Sequence, residues 1–361
     1  MDRVPFAFCD LLCDLLTINE LSSAKELSGR YGGLARYAFE HRTSYVAHVM
    51  YGVEYGESMI YDCNDRKLKT LKEIEAVPKK FVRNVFVNFM DAKDEKVSQE
   101  LVRRFPYAQY NFTHHSSSIN EAWVDLACSL KRLGTVSIMT ELNDDALQIF
   151  QKLVDSHKLS TFIMHPEAFE GGTMELSKSL LLQDQFKELI FYNEFCTPRI
   201  GDVPCDGSLV YDLLEFWSAN VEELRGKSLL FNCYFQSGVE RLIEYVVQRT
   251  LATVPPKSLL LPRATLLENT VLGAEWALQV CSIGECDFIK KEYNYSLCFF
   301  EEPSCFYKFE EGEEGNERRF YVSFECEMGK QISARKMPPR YGGCNDLSLM
   351  LDTPFLHVLF A

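Results

Sequence analysis

Gly226-Lys227-Ser228 spells the end of a phosphate-cradling loop, in which backbone N–H groups hold phosphate oxygens and the lysine reaches them. The first glycine of such a loop belongs at position 221, where the chain has Val221. The tripeptide therefore reads as a turn that starts a strand at Leu229-Leu230. Cys281, Cys286, Cys298 and Cys305 bring four thiols into one stretch. Zinc sites usually draw their thiolates from C-x2-C pairs, which let two sulfurs meet one ion. None is present, so these cysteines read as buried structural thiols, as do Cys9 and Cys13, four apart on one helical face. His114-His115 occupies adjacent positions, whose side chains leave a strand on opposite sides and cannot share a ligand. A loop or strand-end pair is the expectation. No G-x-G-x-x-G, G-x-S-x-G or H-E-x-x-H occurs. Asp144-Asp145 suits the positive end of a following helix, and Trp123, Trp217 and Trp276 read as packing residues. The expectation is no enzyme, no metal and no cofactor.

Composition bounds the rest. The chain has 361 residues, 47% of them hydrophobic and 25% charged, which is ordinary globular chemistry. Acids outnumber bases 52 to 38, giving a formal net charge of −14. A nucleic-acid reader carries a basic footprint, so that partner is not expected. Asp2, Asp10 and Asp14 interrupt the first apolar stretch, and no window reaches the length of a membrane span. The expected setting is the cytoplasm, with the nucleus as alternative and no membrane partner. There the 13 cysteines stay reduced and act as small hydrophobes.

The elements follow from spacing. Residues 1–42 read as short helices. Pro5 opens the first, and Phe8, Leu11, Leu12, Leu15 and Leu16 form a stripe along it. Thr17 or Asn19 caps the second, which turns Leu21, Ala24 and Leu27 inward. Gly29 to Gly33 breaks the pattern, and Leu34 to Phe39 resumes it. Residues 43–80 connect, with strands at 45–51 and 58–62 around a glycine-containing bend. From 81 to 296 a short β-branched or aromatic run is followed repeatedly by an amphipathic helix. The runs are 82–89, 107–112, 136–140, 160–165, 189–192, 228–233 and 258–261. The helices between them are 143–156, 173–182, 208–219 and 238–249. The 193–206 stretch reads as a loop insertion. Residues 297–361 add a hairpin, 304–310 with 319–326, around an acidic tip at Glu310–Glu317. An irregular tail at 330–345 and one more strand at 355–360 follow.

The fold class is therefore α/β. Two architectures share this alternation: a degenerate leucine-rich-repeat-like array, which stacks strand–helix units of near-constant length, and a doubly wound α/β sheet. The steps between successive runs, mostly 25 to 30 residues, favour the array.

Val4-Pro5, Phe8, Leu11, Leu12 and Leu15, then Glu20-Leu21, then Leu27-Ser28-Gly29-Arg30-Tyr31 follow in the order and near the spacing of an F-box, which the N-terminus resembles. Where that family carries an acid soon after the proline, this chain has Phe6 and Ala7. Asp212-Leu-Leu-Glu-Phe-Trp217, Leu224-Arg-Gly-Lys-Ser228 and Arg319-Phe-Tyr-Val-Ser-Phe-Glu-Cys326 extend the similarity to nematode F-box proteins with repeat-like, F-box-associated (FTH-like) C-terminal regions. The resemblance implies a non-enzymatic substrate-recognition subunit of a cullin–RING ubiquitin ligase. Val4, Pro5, Phe8, Leu11, Leu12, Leu15, Leu21, Leu27 and Tyr31 would hold a Skp-type adaptor, and the repeats would hold a protein target. The alternative is an interaction scaffold whose first 42 residues only cap the repeats.

Overall fold

The computed structural model describes residues 4–93, 96–169, 172–192, 207–232, 236–254, 262–292, 305–312, 317–324, 347–351, 353 and 355–361. The chain forms two compact units, residues 1–159 and 160–361. Both are mixed α/β and largely parallel at the level of their strand–helix repeats.

The first unit opens with three helices, α1 (Phe6–Leu15), α2 (Ile18–Ala24) and α3 (Gly29–His41). The expected break at Gly29–Gly33 is absent, because these glycines lie inside α3. Gly29, at φ 82°, starts that helix from a conformation open to glycine. Gly32 sits where an added Cβ would overlap the Leu27 carbonyl oxygen, so it permits a close approach.

Then come β1 (Thr43–Met50), β2 (Val53–Tyr61), β3 (Lys67–Leu68), α4 (Leu71–Ala76), β4 (Val82–Phe89), α5 (Val97–Arg104), β5 (Gln109–His114), α6 (Glu121–Ser129), β6 (Leu133–Ile138) and α7 (Asp144–Asp155). The sheet order is β3-β2-β1-β4-β5-β6. β1 and β2 form an antiparallel hairpin. Its turn residues Tyr51 and Gly52 have φ 53° and 73°, the positive pair that a two-residue hairpin requires. β1, β4, β5 and β6 are parallel neighbours taken in chain order. A parallel neighbour needs a crossover, and helices supply it. Asn120 and Asn143 start α6 and α7 by accepting the N–H groups of Trp123 and Ala146. The second cap also joins repeat to repeat, since Asn143 Nδ2 donates to Ser118 Oγ at 2.9 Å.

One face of this sheet is closed. Tyr45, Val49, Val85, Val87, Phe89, Phe112, Val136 and Ile138 are buried there. His114 ends β5 inside this core, with its ring centroid 4.8 Å from Phe89 and 4.2 Å from Trp123.

The second unit holds β7 (Thr161–Met164), α8 (Thr173–Leu181), β8 (Glu188–Phe191), α9 (Ser208–Ala219), α10 (Val221–Leu224), β9 (Ser228–Asn232), α11 (Gln236–Thr253), α12 (Arg263–Glu268), α13 (Thr270–Ala277), β10 (Gln279–Val280), α14 (Ile283–Glu292), β11 (Cys305–Glu311), β12 (Arg318–Phe324) and β13 (Phe355–Phe360). Its order is β7-β8-β9-β13-β12-β11-β10. β7, β8 and β9 are parallel, and the remainder pair antiparallel. The hairpin thus continues the sheet of the strand–helix region, with β13 inserted between β9 and β12. Here helices cover both faces. Trp217 of α9 stacks on Phe360 at 5.7 Å, while Ile289 of α14 packs with Tyr321 and Leu359 on the other side. The expected strand at 258–261, the insertion at 193–206, the hairpin tip at 313–316 and the tail at 330–345 lie outside the described residues. Cys305 departs from the expectation of reduced thiols, because it is disulfide-bonded. Cys9, Cys13, Cys63, Cys128, Cys281 and Cys286 are free.

Two buried imidazoles tie this packing to pH. Burial pushes His114 down to about 3 and His357 to about 4. In the unfolded chain both take a proton near pH 6.5. Between those values the unfolded state holds more protons. Stability is therefore full above pH 6.5 and falls as acid is added, by about 1.4 kcal/mol per pH unit for each histidine. Urea unfolding at pH 7, 6 and 5 should show this loss, and His114→Phe should flatten the slope for the first unit.

Candidate protein-docking faces

The N-terminal helices are organised by size as well as by polarity. Cys9 and Cys13 of α1 point inward and are buried with Leu21, Ala24, Tyr31 and Ala35. Val4, Leu12 and Leu16 pack partly against that cluster. Thr17 begins α2 with a capping box, its backbone N–H donating to Glu20 Oε2 at 2.6 Å and its hydroxyl accepting the Glu20 N–H. Arg42, buried at the end of α3, donates from Nη1 to the Leu16 carbonyl at 2.6 Å. Asp14 of α1 is ion-paired with Arg83 of β4. A cavity of 30 Å³ beside them is lined by Asp10, Asp14, Arg42 and Arg83 among others, room for about one water.

The large apolar residues of α1 face the other way. Phe8 is 57% exposed, Leu11 56% and Leu15 68%. At 100° per residue they fall within an arc of roughly 60°. Phe6 and Leu27 are exposed too, and so is Pro5, the residue preceding α1. The nine expected adaptor-binding residues thus divide. Pro5, Phe8, Leu11, Leu15 and Leu27 are accessible, Val4 and Leu12 are half-buried, and Leu21 and Tyr31 belong to the module's own core. The single stripe expected along α1 is two faces. Spacing alone missed Phe6, which lies off the Phe8–Leu11–Leu15 line.

A second open surface lies on the sheet of the first unit, opposite its core. Backbone register lines up Tyr55, His48, Asn88, Thr113 and Ser137 across five strands. The row beside it holds Ser58, Val46, Phe86 and Asn111, with Asn111 Oδ1 accepting the Thr135 N–H at 2.9 Å. Gly134 leaves space for the Asn111 side chain. Ile60, Ser44, Asn84 and Gln109 make the row at one end. At the other, Val53 pairs with Met50, and Met90, His115 and Met139 continue the ladder by bonding to Val49, Phe89 and His114. No Asp, Glu, Lys or Arg occurs in these rows. Bordering charges already have partners, one of them Ser44 of the end row. Asp62 accepts from Ser44 Oγ at 2.7 Å, Asp91 accepts the Tyr51 N–H at 2.7 Å, and Lys93 lies 5.8 Å from the Tyr51 ring. The acid excess is also elsewhere, 30 acids to 18 bases in residues 160–361 against 22 to 20 in residues 1–159.

The groups with chemical promise have structural partners. Lys227 of the Gly-Lys-Ser turn is buried and donates from Nζ to the carbonyls of Leu181 and Gln183 at 2.6 and 2.9 Å, closing the C-terminus of α8. Ser323 Oγ and His357 Nδ1 lie 3.2 Å apart, but as a cross-strand pair buried in the sheet. Among the described residues no three or more His, Cys, Asp or Glu are grouped to hold a metal ion, and no helix is long and apolar enough to cross a membrane. No family model, no curated protein and no solved structure matches the chain.

Three substitutions test this packing. Leu15→Asp should leave thermal melting unchanged, whereas Leu21→Asp should destroy the N-terminal module, because a buried unpaired carboxylate is heavily penalised. Lys227→Met leaves two carbonyls unpaired and should cost about 1–3 kcal/mol by denaturant titration.

Proposed function

We propose that this chain is a non-enzymatic substrate-recognition subunit of a Skp–cullin–F-box type ubiquitin ligase, docking a Skp-type adaptor with its N-terminal helices and a protein target with its strand–helix units. One observation carries the reading: α1 turns Phe8, Leu11 and Leu15 outward while a complete small core closes behind it. A helix that only capped the array would bury that stripe against its neighbours. The apolar patch instead has the composition of an interface centre. The mechanism is proximity. Two docking faces on one chain raise the effective concentration of target beside the ubiquitin-loaded enzyme, with no catalytic group of their own. The leucine-rich-repeat-like architecture belongs to the same reading. Parallel neighbours in chain order, and a face opposite the core of the first unit that no described helix covers, support it over a doubly wound sheet, whose strand order reverses.

The test is co-elution of the full chain with a Skp-type adaptor. Wild type should form a complex. Leu11→Asp with Leu15→Asp should weaken it at least tenfold, in line with losses at interface hot spots, without lowering the melting temperature. These positions are better probes than Leu12, which contributes to the module's own packing. Absence of a complex, or one that survives the double substitution, overturns the adaptor reading and favours the plain scaffold.

A further inference from the structure

The uncharged rows of the first unit's sheet say what kind of target fits them. We infer that this face binds a single extended, uncharged segment of a partner polypeptide, about six to eight residues long, with large apolar side chains; the inference deepens the target-binding half of the function proposed above.

Size comes first. Five strands at about 4.8 Å spacing span roughly 19 Å, and four rows at two-residue steps span roughly 20 Å. The area is roughly 400 Å², half of the ~800 Å² that each partner of a stable globular complex contributes. Two copies meeting through this face alone would fall short of a stable dimer. An extended segment of six residues is about 20 Å long and matches the face.

Charge comes second. A charged residue brought onto this face loses water and finds no counter-ion, which is costly. Nucleic acid would meet no cation within these rows. An uncharged peptide meets partners of its own kind: amide and hydroxyl groups at Asn88 and Thr113, and an apolar strip at Val46 and Phe86.

Adaptability comes third. Tyr55 is 41% exposed, Met50 39% and Met90 37%. Flexible thioethers conform to apolar side chains of different shapes. A rigid aromatic beside them supplies contact area at little entropic cost. The face is thus built to read apolar character and absence of charge more than one exact sequence.

The experiment screens the full chain against an array of randomised eight-residue peptides, N-acetylated and C-amidated. A selected peptide is then titrated by fluorescence anisotropy against wild type, Phe86→Glu, Met90→Lys and Leu11→Asp. Enrichment of uncharged peptides rich in aromatic and aliphatic residues is expected. Phe86→Glu and Met90→Lys should each weaken binding at least tenfold while melting as wild type does, and Leu11→Asp should leave it unchanged. No enrichment, enrichment of charged peptides, binding that survives both sheet variants, or binding lost in Leu11→Asp each overturns the inference. So does sedimentation of wild type as a dimer that either sheet variant dissociates. Adaptor co-elution uses no peptide, so failure of the adaptor reading and failure of this one are separately visible.

Discussion

A parallel strand cannot reach its neighbour through a tight turn, and this constraint organises the molecule. Each strand from β4 to β6 must send the chain back across the sheet before the next can pair, and helices make that return. Because successive strands are neighbours in chain order, right-handed crossovers carry every return over the same side. One face of the first unit's sheet is consequently packed with Val85, Phe112 and Val136, and among the described residues the opposite face has no covering layer. The open face is a by-product of connectivity before it is a surface for anything else.

Much of this was legible because the periodicities are strong. The run Val82–Phe89, the helix Ser208–Ala219 and the strand Phe355–Phe360 lie where alternation and helical spacing put them. The fifth strand shifted toward its C-terminal side and the sixth began three residues early, at Leu133. Gly134 carries no side chain to alternate, and a bulge beside it alters the register. Gly29–Gly33 misled for a related reason. Glycine lowers helix propensity, but close packing beside Leu27 outweighs that cost.

Orientation was the harder quantity. On α1 both candidate faces are apolar, and hydrophobicity favours turning leucine and phenylalanine inward. The protein turns Cys9 and Cys13 inward instead. Small side chains there pack with Ala24 of α2 and Ala35 of α3, so the helices approach closely, and the larger residues are left outside. Likewise Val46 and Phe86 look like core in sequence, yet they lie on the open side of the sheet. Only pairing register, which no single strand encodes, separates them from Val49 and Val85. Lys227 shows the converse, since a motif with chemical associations serves to satisfy two backbone carbonyls.

The position of β13 has a consequence in time. β9 pairs on one side with β8, some forty residues earlier, and on the other with β13, more than a hundred residues later. Closing a loop of that length is slow relative to the local steps that join β4, β5 and β6. The first unit can therefore assemble strand by strand as neighbours become available. The second must hold the edges of β9 and β12 unpaired until residues 355–360 arrive to fill the gap. During that interval two strand edges rich in leucine and phenylalanine are open to wrong partners, which leaves the second unit more exposed to mispairing than the first.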